Sequence, residues 1–422
     1  MRLVSLTFLA LLLPIFAAVY SILPRSGRLF ALFVYSLAFY ALAAGKAAFF
    51  LPLLSLPVAL AARSPLDRRV SAAVLALLFA LCKGVGFLPL GLSFFVLRAI
   101  GFLLSEKDEK RPGAVMTYLL FFPTVTMGPL WRYTDFEAGL SAARDDRKIA
   151  DAVCRLSLGL FKKFFFADRL LAAYHDFSAH GTALGSAATL LCFALYLYFD
   201  FSGYSDIAVG VGGIFGFSLP ENFDYPYMSR SVGEFFRRWH STLGRWLFEY
   251  VYLPLGGSRN GARRTLLSLL AVWVSTAFWH GTTLCYFLWG AYFFLLVAAE
   301  KLLLPKGFKG LRLPTFCLVS LGWVFFFSPD VASALGFFKR LFCLGGTLLY
   351  DRADFYDFAR FAPFLLLSSI AATPIFRDLA RAVRRRFGRL PLRAASLVLF
   401  VFSLSYAAAG GYSPFLDRKS VV

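Results

Sequence analysis

LLSLLAVWVSTAFWHGTTLCYFLW, residues Leu266–Trp289, runs without a single Asp, Glu, Lys or Arg. A helix needs about 20 apolar residues to cross the hydrocarbon of a bilayer, so this stretch reads as membrane-embedded. Similar runs recur at Leu3–Leu23, Leu29–Ala62, Gly86–Leu104, Val115–Leu130, Leu184–Phe201 and Ala394–Tyr412. The chain is therefore expected to be all-α and multi-pass, with about 11 spans once shorter, tilted pieces are allowed for.

Composition agrees. Hydrophobic residues make up 59% and aromatic residues 18% of the 422, and the mean hydropathy is +0.68, well above that of an ordinary soluble globular protein. The first residues, MRLVSLTFLALLLPIFAAVY, are expected to form a first span rather than a secretory leader, because the apolar run is long and nothing soluble follows it. No soluble domain, low-complexity linker or fixed-period repeat is visible, so residues 1–422 read as one membrane domain.

The formal charge of +20 would raise the question of nucleic acid in a soluble chain. Here the basic residues fall in short gaps between apolar runs: Arg63, Arg68 and Arg69; Lys107, Lys110 and Arg111; and the segment 377–393 with Arg377, Arg381, Arg384, Arg385, Arg386, Arg389 and Arg393. That is the positive-inside pattern, and the last segment reads as a cytoplasmic loop facing anionic headgroups. The partner this implies is membrane lipid, with no nucleic acid. Six cysteines stand singly in apolar stretches, without the paired spacing of a zinc or redox site, so no metal is expected.

Residues 200–265 differ in texture, mixing aromatic, charged and glycine residues. Ser231–Val251 reads as an amphipathic helix: Val232, Phe235, Phe236, Trp239, Leu243, Trp246, Leu247 and Tyr250 recur at helical spacing, opposite Glu234, Arg237, Arg238, Arg245 and Glu249. An aromatic stripe opposite a basic face suits a helix lying in the membrane interface. Glu234 is placed to pair with Arg238, and Pro254, Gly256 and Gly257 close the helix.

The chain has four histidines. His175 and His180, in YHDFSAHG, read as solvated surface residues. His280 lies near the middle of the opening stretch, where an ionisable group is costly and normally faces a protein interior or cavity. Desolvation favours its neutral form, which can take a proton from a hydroxyl as a general base. His240, after Arg237, Arg238 and Trp239, reads by itself as interfacial. Asp200 and Asp206, in YLYFDFSGYSDIAVG, interrupt another apolar run; an Arg or Lys from a neighbouring helix, or a substrate, would have to hold them. Gly203, Gly210, Gly212, Gly213 and Gly216 permit close helix packing. Neither a G-x-S-x-G element nor a P-loop is present. A transporter or flippase using His280, Asp200 and Asp206 as a relay is the rival reading of these residues.

DFSGYSDIAVGVGGIFGFSLPENFDYPYMSRSVGEFFRRWHSTLGRWLFEYVYLPLGGSRNG (Asp200–Gly261), followed by AFWHG (Ala277–Gly281), resembles the membrane-bound O-acyltransferase (MBOAT) family, most closely its bacterial alginate O-acetylation branch. GLSFFVLRAI (Gly91–Ile100), MGPLWRYTDF (Met127–Phe136), GLFKKFFFADRL (Gly159–Leu170) and YSPF (Tyr412–Phe415) extend the resemblance, with the motif-rich region at about 91–300. The sequence departs from the family at Phe248–Glu249, where arginine-aspartate is common. LPLGGSR (Leu253–Arg259) favours the acetylating branch over the D-alanyl-transfer proteins of teichoic acid.

The resemblance implies re-entrant and interfacial helices around a central tunnel where donor and acceptor meet. It makes His280 the catalytic residue and His240, the second family histidine, a further catalytic candidate. Trp239, Arg237, Arg238, Asp200, Asp206, Asn222 and Trp279 are the candidate substrate contacts. Its chemistry is O-acetylation of a cell-envelope or extracellular polysaccharide at the inner membrane. The donor would be acetyl-CoA or another acyl thioester, with no bound cofactor. An extracytoplasmic esterase-like (SGNH) partner would hand the acyl group on.

Overall fold

The computed structural model describes residues 3–61, 65–105, 110–143, 145–259, 261–305 and 310–409. Arg63, Lys107 and the YSPF element at 412–415 lie outside them. Among the described residues β-structure is confined to a single bridge between Phe223 and Trp239. The protein is an all-α multi-pass membrane protein.

Among the described residues, four helices are long and apolar enough to cross a bilayer: Arg25–Ala47, Ala183–Ile214, Leu284–Leu303 and Leu390–Ala408. A fifth candidate is the pair Arg352–Ala371 and Ile375–Phe387, bent by 62°. Further apolar helices, Phe8–Ile22, Phe50–Ala61, Leu92–Ser105 and Arg312–Phe327, are shorter. The run Val115–Leu130 is helical only as Pro112–Leu120, and its remainder is irregular chain with Phe121, Phe122 and Val125 fully buried. It is apolar because it lies in the interior. Leu29–Ala62 likewise breaks: the α-helical part of the first span ends at Ala44, Gly45 with φ of +57° tightens it into a last 3-10 turn over Gly45–Ala47, and a new helix starts at Phe50.

The chain divides into two compact units. Among the described residues, the first comprises 3–160, 204–222 and 393–409. There Gly210 and Gly213 admit the helix Asp146–Phe161: a Cβ on Gly210 would lie 2.5 Å from the Leu156 nitrogen, and one on Gly213 2.7 Å from Ala152 Cβ. This is small-residue packing that brings backbones together. Asp206 binds Arg155 at 2.7 Å, and the same guanidinium reaches Glu221 at 2.5 Å. Asn222, buried, donates to Ser205 Oγ at 3.1 Å.

Among the described residues, the second unit comprises 161–203 and 223–392. An aromatic core runs through it, with Phe193, Tyr196, Phe199, Tyr227, Phe235, Trp239, Trp273, Trp289, Phe293 and Trp323 buried together. Edge-to-face pairs such as Trp273–Trp289 and Trp289–Phe293 stand beside stacked pairs such as Phe235–Trp239 and Trp273–Phe293, each worth about 0.5–1.5 kcal/mol beyond burial. Lys163, fully buried, is held by Asp200 at 2.6 Å and Asp168 at 3.0 Å.

Ser231–Val251 is not one interfacial helix: it breaks into Val232–Arg238 and Ser241–Leu247, and Phe235, Trp239, Leu243 and Leu247 are buried in protein. The segment 377–393 is not a loop: it is mostly the helix Ile375–Phe387, with Ile375, Phe376, Leu379 and Phe387 exposed beside its arginines. Apolar side chains left uncovered next to a basic face are what an interfacial helix presents.

Candidate active site

His280 is the last residue of the helix Gly261–His280, and after Gly281–Thr283 the chain turns back as Leu284–Leu303. The opening stretch is thus a helical hairpin, and His280 sits at its turn instead of the middle of one span. Gly281 and two threonines favour a turn over continued helix. A Cβ at Gly281 would lie 2.1 Å from the edge of the Tyr286 ring, and one at Gly290 would lie 3.0 Å from both Ala277 Cβ and the Trp273 carbonyl oxygen. Glycine at these positions lets the hairpin close.

The half-buried imidazole of His280 is surrounded by rings. Centroids lie 4.7 Å from Trp279, 5.0 Å from Phe326, 5.1 Å from Trp289 and 6.2 Å from Tyr286. Large, stiff neighbours restrict how the ring can rotate.

His240 marks the break in the second motif. Its φ of 45° and ψ of 46° put a non-glycine residue in the left-handed region, at a cost of about 1–2 kcal/mol. Such strain persists only where surroundings enforce it. Here the Trp239 N–H donates to the Phe235 carbonyl at 2.8 Å, the Asp224 N–H donates to the Arg238 carbonyl at 3.0 Å, and the His240 carbonyl accepts from the Gly244 N–H at 3.1 Å. These bonds finish one helix and start the next around His240. Its imidazole is 5% exposed and meets Phe201 and Trp279 edge to face, at 4.7 and 6.0 Å. The two seven-residue helices flanking it are too short to span. Burial pushes the pKa of His240 down to about 3, so the ring is neutral at ordinary pH.

Both histidines line one cavity of about 1020 Å³ within the second unit, the upper end of the size range of small-molecule sites. Trp239, Trp289, Trp323 and Phe326 form its aromatic wall, while Arg237, Arg245, Glu300 and Lys301 bring charge. Exposed Arg237, Gly244, Arg245 and Phe248 give it an open rim. The polar edge is anchored: Glu300 accepts from the Gly233 N–H at 2.8 Å and from the Val232 N–H, while Lys301 donates to the Tyr252 hydroxyl at 2.6 Å. A carboxylate beneath the first amides of Val232–Arg238 also opposes the positive end of that helix.

The structure distributes the remaining sequence candidates differently. Arg237 and Trp239 line the cavity, and Trp279 touches both imidazoles. Arg238 turns to Glu234 at 2.8 Å, as the spacing anticipates, and to Asp224 at 3.7 Å. Asp200, Asp206 and Asn222 are not among the cavity-lining residues; the two carboxylates are held by Lys163 and Arg155. His175 is exposed. His180 is not the solvated residue expected: its side chain is 7% exposed and surrounded by carboxylates. Sequence reasoning passed over Trp289, Glu300, Lys301 and Phe326. Glu300 and Lys301 interrupt an apolar run, a signal that could have found them; the aromatic positions carry none.

Residues 112–306 match the model of MBOAT, the membrane-bound O-acyltransferase family. A Pseudomonas putida protein described as a probable alginate O-acetylase is 32% identical over 367 residues, covering 78% of this chain and 74% of that protein. The chain belongs to the membrane-bound O-acyltransferase family. A peptidoglycan O-acetyltransferase of Helicobacter pylori is 31% identical, over 62% of this chain and 58% of that protein. A teichoic acid D-alanyltransferase of Bacillus subtilis is 27% identical, over 48% and 56%. Membership makes this chain an O-acyltransferase.

Proposed function

We propose that this acyltransferase takes acetyl from a cytoplasmic thioester, acetyl-CoA or a similar donor, and passes it across the inner membrane for O-acetylation of a cell-envelope or extracellular polysaccharide. His280 is the general base. Its neutral imidazole takes the proton from an acceptor hydroxyl as the oxygen attacks the thioester carbonyl; the carbon–sulfur bond breaks, the acyl–oxygen ester forms, and the thiol leaves. His240 lies on the same cavity and orients or polarises the reacting groups. The basic rim of Arg237, Arg245 and Lys301 suits an anionic donor, and the aromatic wall keeps bulk water from the thioester. An extracytoplasmic esterase-like partner delivers the group to the polymer.

The observation that carries the reading is that two histidines from separate motifs open onto one aromatic-walled cavity. The test is His280→Ala in membranes. Acyl transfer should fall by at least about a thousandfold, with insertion and monodispersity retained; near-normal glycan acetylation in that variant would overturn the assignment. Acetyl-CoA turnover by purified wild-type protein tests the donor separately.

A further inference from the structure

His180, between the helices Asp168–Ser178 and Ala183–Ile214, is met by the start of the helix Arg352–Ala371. Its Nε2 lies 2.8 Å from Asp357 Oδ2. A carboxylate can only accept, so Nε2 carries the proton and a neutral ring turns the lone pair of Nδ1 the other way. That lone pair faces Asp354 Oδ1 at 3.2 Å and Asp351 Oδ1 at 3.9 Å. The three atoms lie within 4.8 Å of one another, and among the described residues no donor hydrogen-bonds Nδ1. Three electron-rich atoms converging in this way call for a cation at their centre.

We propose that His180, Asp351 and Asp354 bind a divalent transition-metal ion of the zinc or manganese class, apart from the acyl-transfer cavity. Metal–ligand bonds of about 2.1 Å at tetrahedral angles put ligand atoms about 3.4 Å apart, between the two separations from Nδ1. Mixed imidazole and carboxylate ligands suit these ions. Asp357 on the far nitrogen is the outer carboxylate that usually fixes a metal-binding histidine.

The frame is built in advance. The Thr182 hydroxyl donates to Asp354 Oδ1 at 3.0 Å, the Asp351 N–H donates to Asp354 Oδ2 at 2.8 Å, and the Asp354 N–H donates to Asp351 Oδ1 at 2.9 Å. Ala183 and Leu184 donate to the carbonyls of Leu348 and Leu349, each at 3.0 Å. A Cβ at Gly185 would lie 2.5 Å from His180 Cβ and 3.0 Å from Asp354 Oδ1, so glycine keeps the space open. Asp351, with its side chain 41% exposed, leaves an entry path.

The test uses the full-length protein, purified in detergent and stripped with chelator, titrated with zinc and with manganese by calorimetry and checked by elemental analysis. One equivalent of at least one ion should bind and raise the thermal midpoint. Asp351→Asn keeps an acceptor for the Asp354 N–H, and so the helix start, but should weaken binding at least about a hundredfold by removing the anionic ligand. Asp357→Asn should weaken it by about 10- to 100-fold. Failure of wild-type protein to take up either ion would overturn the proposal and leave a doubly protonated His180 as the cation; equal uptake by Asp351→Asn and wild type would also overturn it.

Discussion

His240 and His280 are joined through one side chain: the Trp279 ring lies 6.0 Å from the first imidazole and 4.7 Å from the second, edge to face in both cases. The two histidines come from motifs 40 positions apart in sequence numbering, and neither can change orientation without disturbing that indole. Trp279→Ala should therefore lower acyl-transfer kcat by about a hundredfold, as displacing a reacting group by an ångström can. Trp279→Phe, which keeps a ring, should retain most activity. Comparing the two at equal folded fraction in detergent checks this; equal loss in both would show that the indole N–H matters instead.

The left-handed backbone at His240 separates its conformational role from its chemical one. His240→Gly relieves the strain while removing the imidazole, so its thermal midpoint should not fall by more than the loss of ring packing requires. Acyl transfer should drop by about 10²- to 10⁴-fold. Full activity in the glycine variant would make His240 a hinge and nothing more.

Stability should depend on pH through the same residue. The folded pKa of His240 is pushed down to about 3 from the ordinary 6.5. Above pH 6.5 both folded and unfolded states hold the ring neutral, and no pH dependence arises from it. Between 6.5 and about 3 the unfolded state binds a proton that the folded state does not, so stability is lost as pH falls through this window, by up to about 1.4 kcal/mol per pH unit. Thermal midpoints of wild type and His240→Gln, measured from pH 7 to pH 4.5, should converge toward the acid end. Parallel curves would remove His240 as the source.

Lys163 is fully buried against Asp200 and Asp168, whereas Arg238 pairs with Glu234 from a side chain 34% exposed. Removing one member of a buried network strands the others in low dielectric and costs about 3–5 kcal/mol. A solvent-screened pair is worth about 1 kcal/mol or less. Lys163→Met should therefore lower the thermal midpoint far more than Arg238→Met. Restoring stability with Lys163→Met combined with Asp200→Asn would show that the cost lies in the stranded carboxylate.

What could be read in the sequence and what could not divide along physical lines. Apolar run length and the placement of arginines report the solvent around the chain, and that local property made an all-α membrane protein legible. His280 stood out because an imidazole inside apolar sequence is expensive wherever it ends up. Periodicity at 231–251 was equally clear, but it records only that one face is apolar. It does not say whether lipid or protein covers that face. Protein covers Phe235 and Trp239, while the uncovered apolar face belongs to Ile375–Phe387, where a dense row of arginines masked it.

By itself the sequence determined the solvent, the helical class and the costly residues His280, Asp200 and Asp206. Only the tertiary structure decided their partners. It turned Leu266–Trp289 into a hairpin, bent the chain at His240 into a conformation that local preference disfavours, and gave Asp200 and Asp206 to Lys163 and Arg155. It also brought His180 to carboxylates from a distant helix. Burial cost is a property of each residue and can be read one position at a time. The group that offsets it is a property of contact, which folding alone assigns.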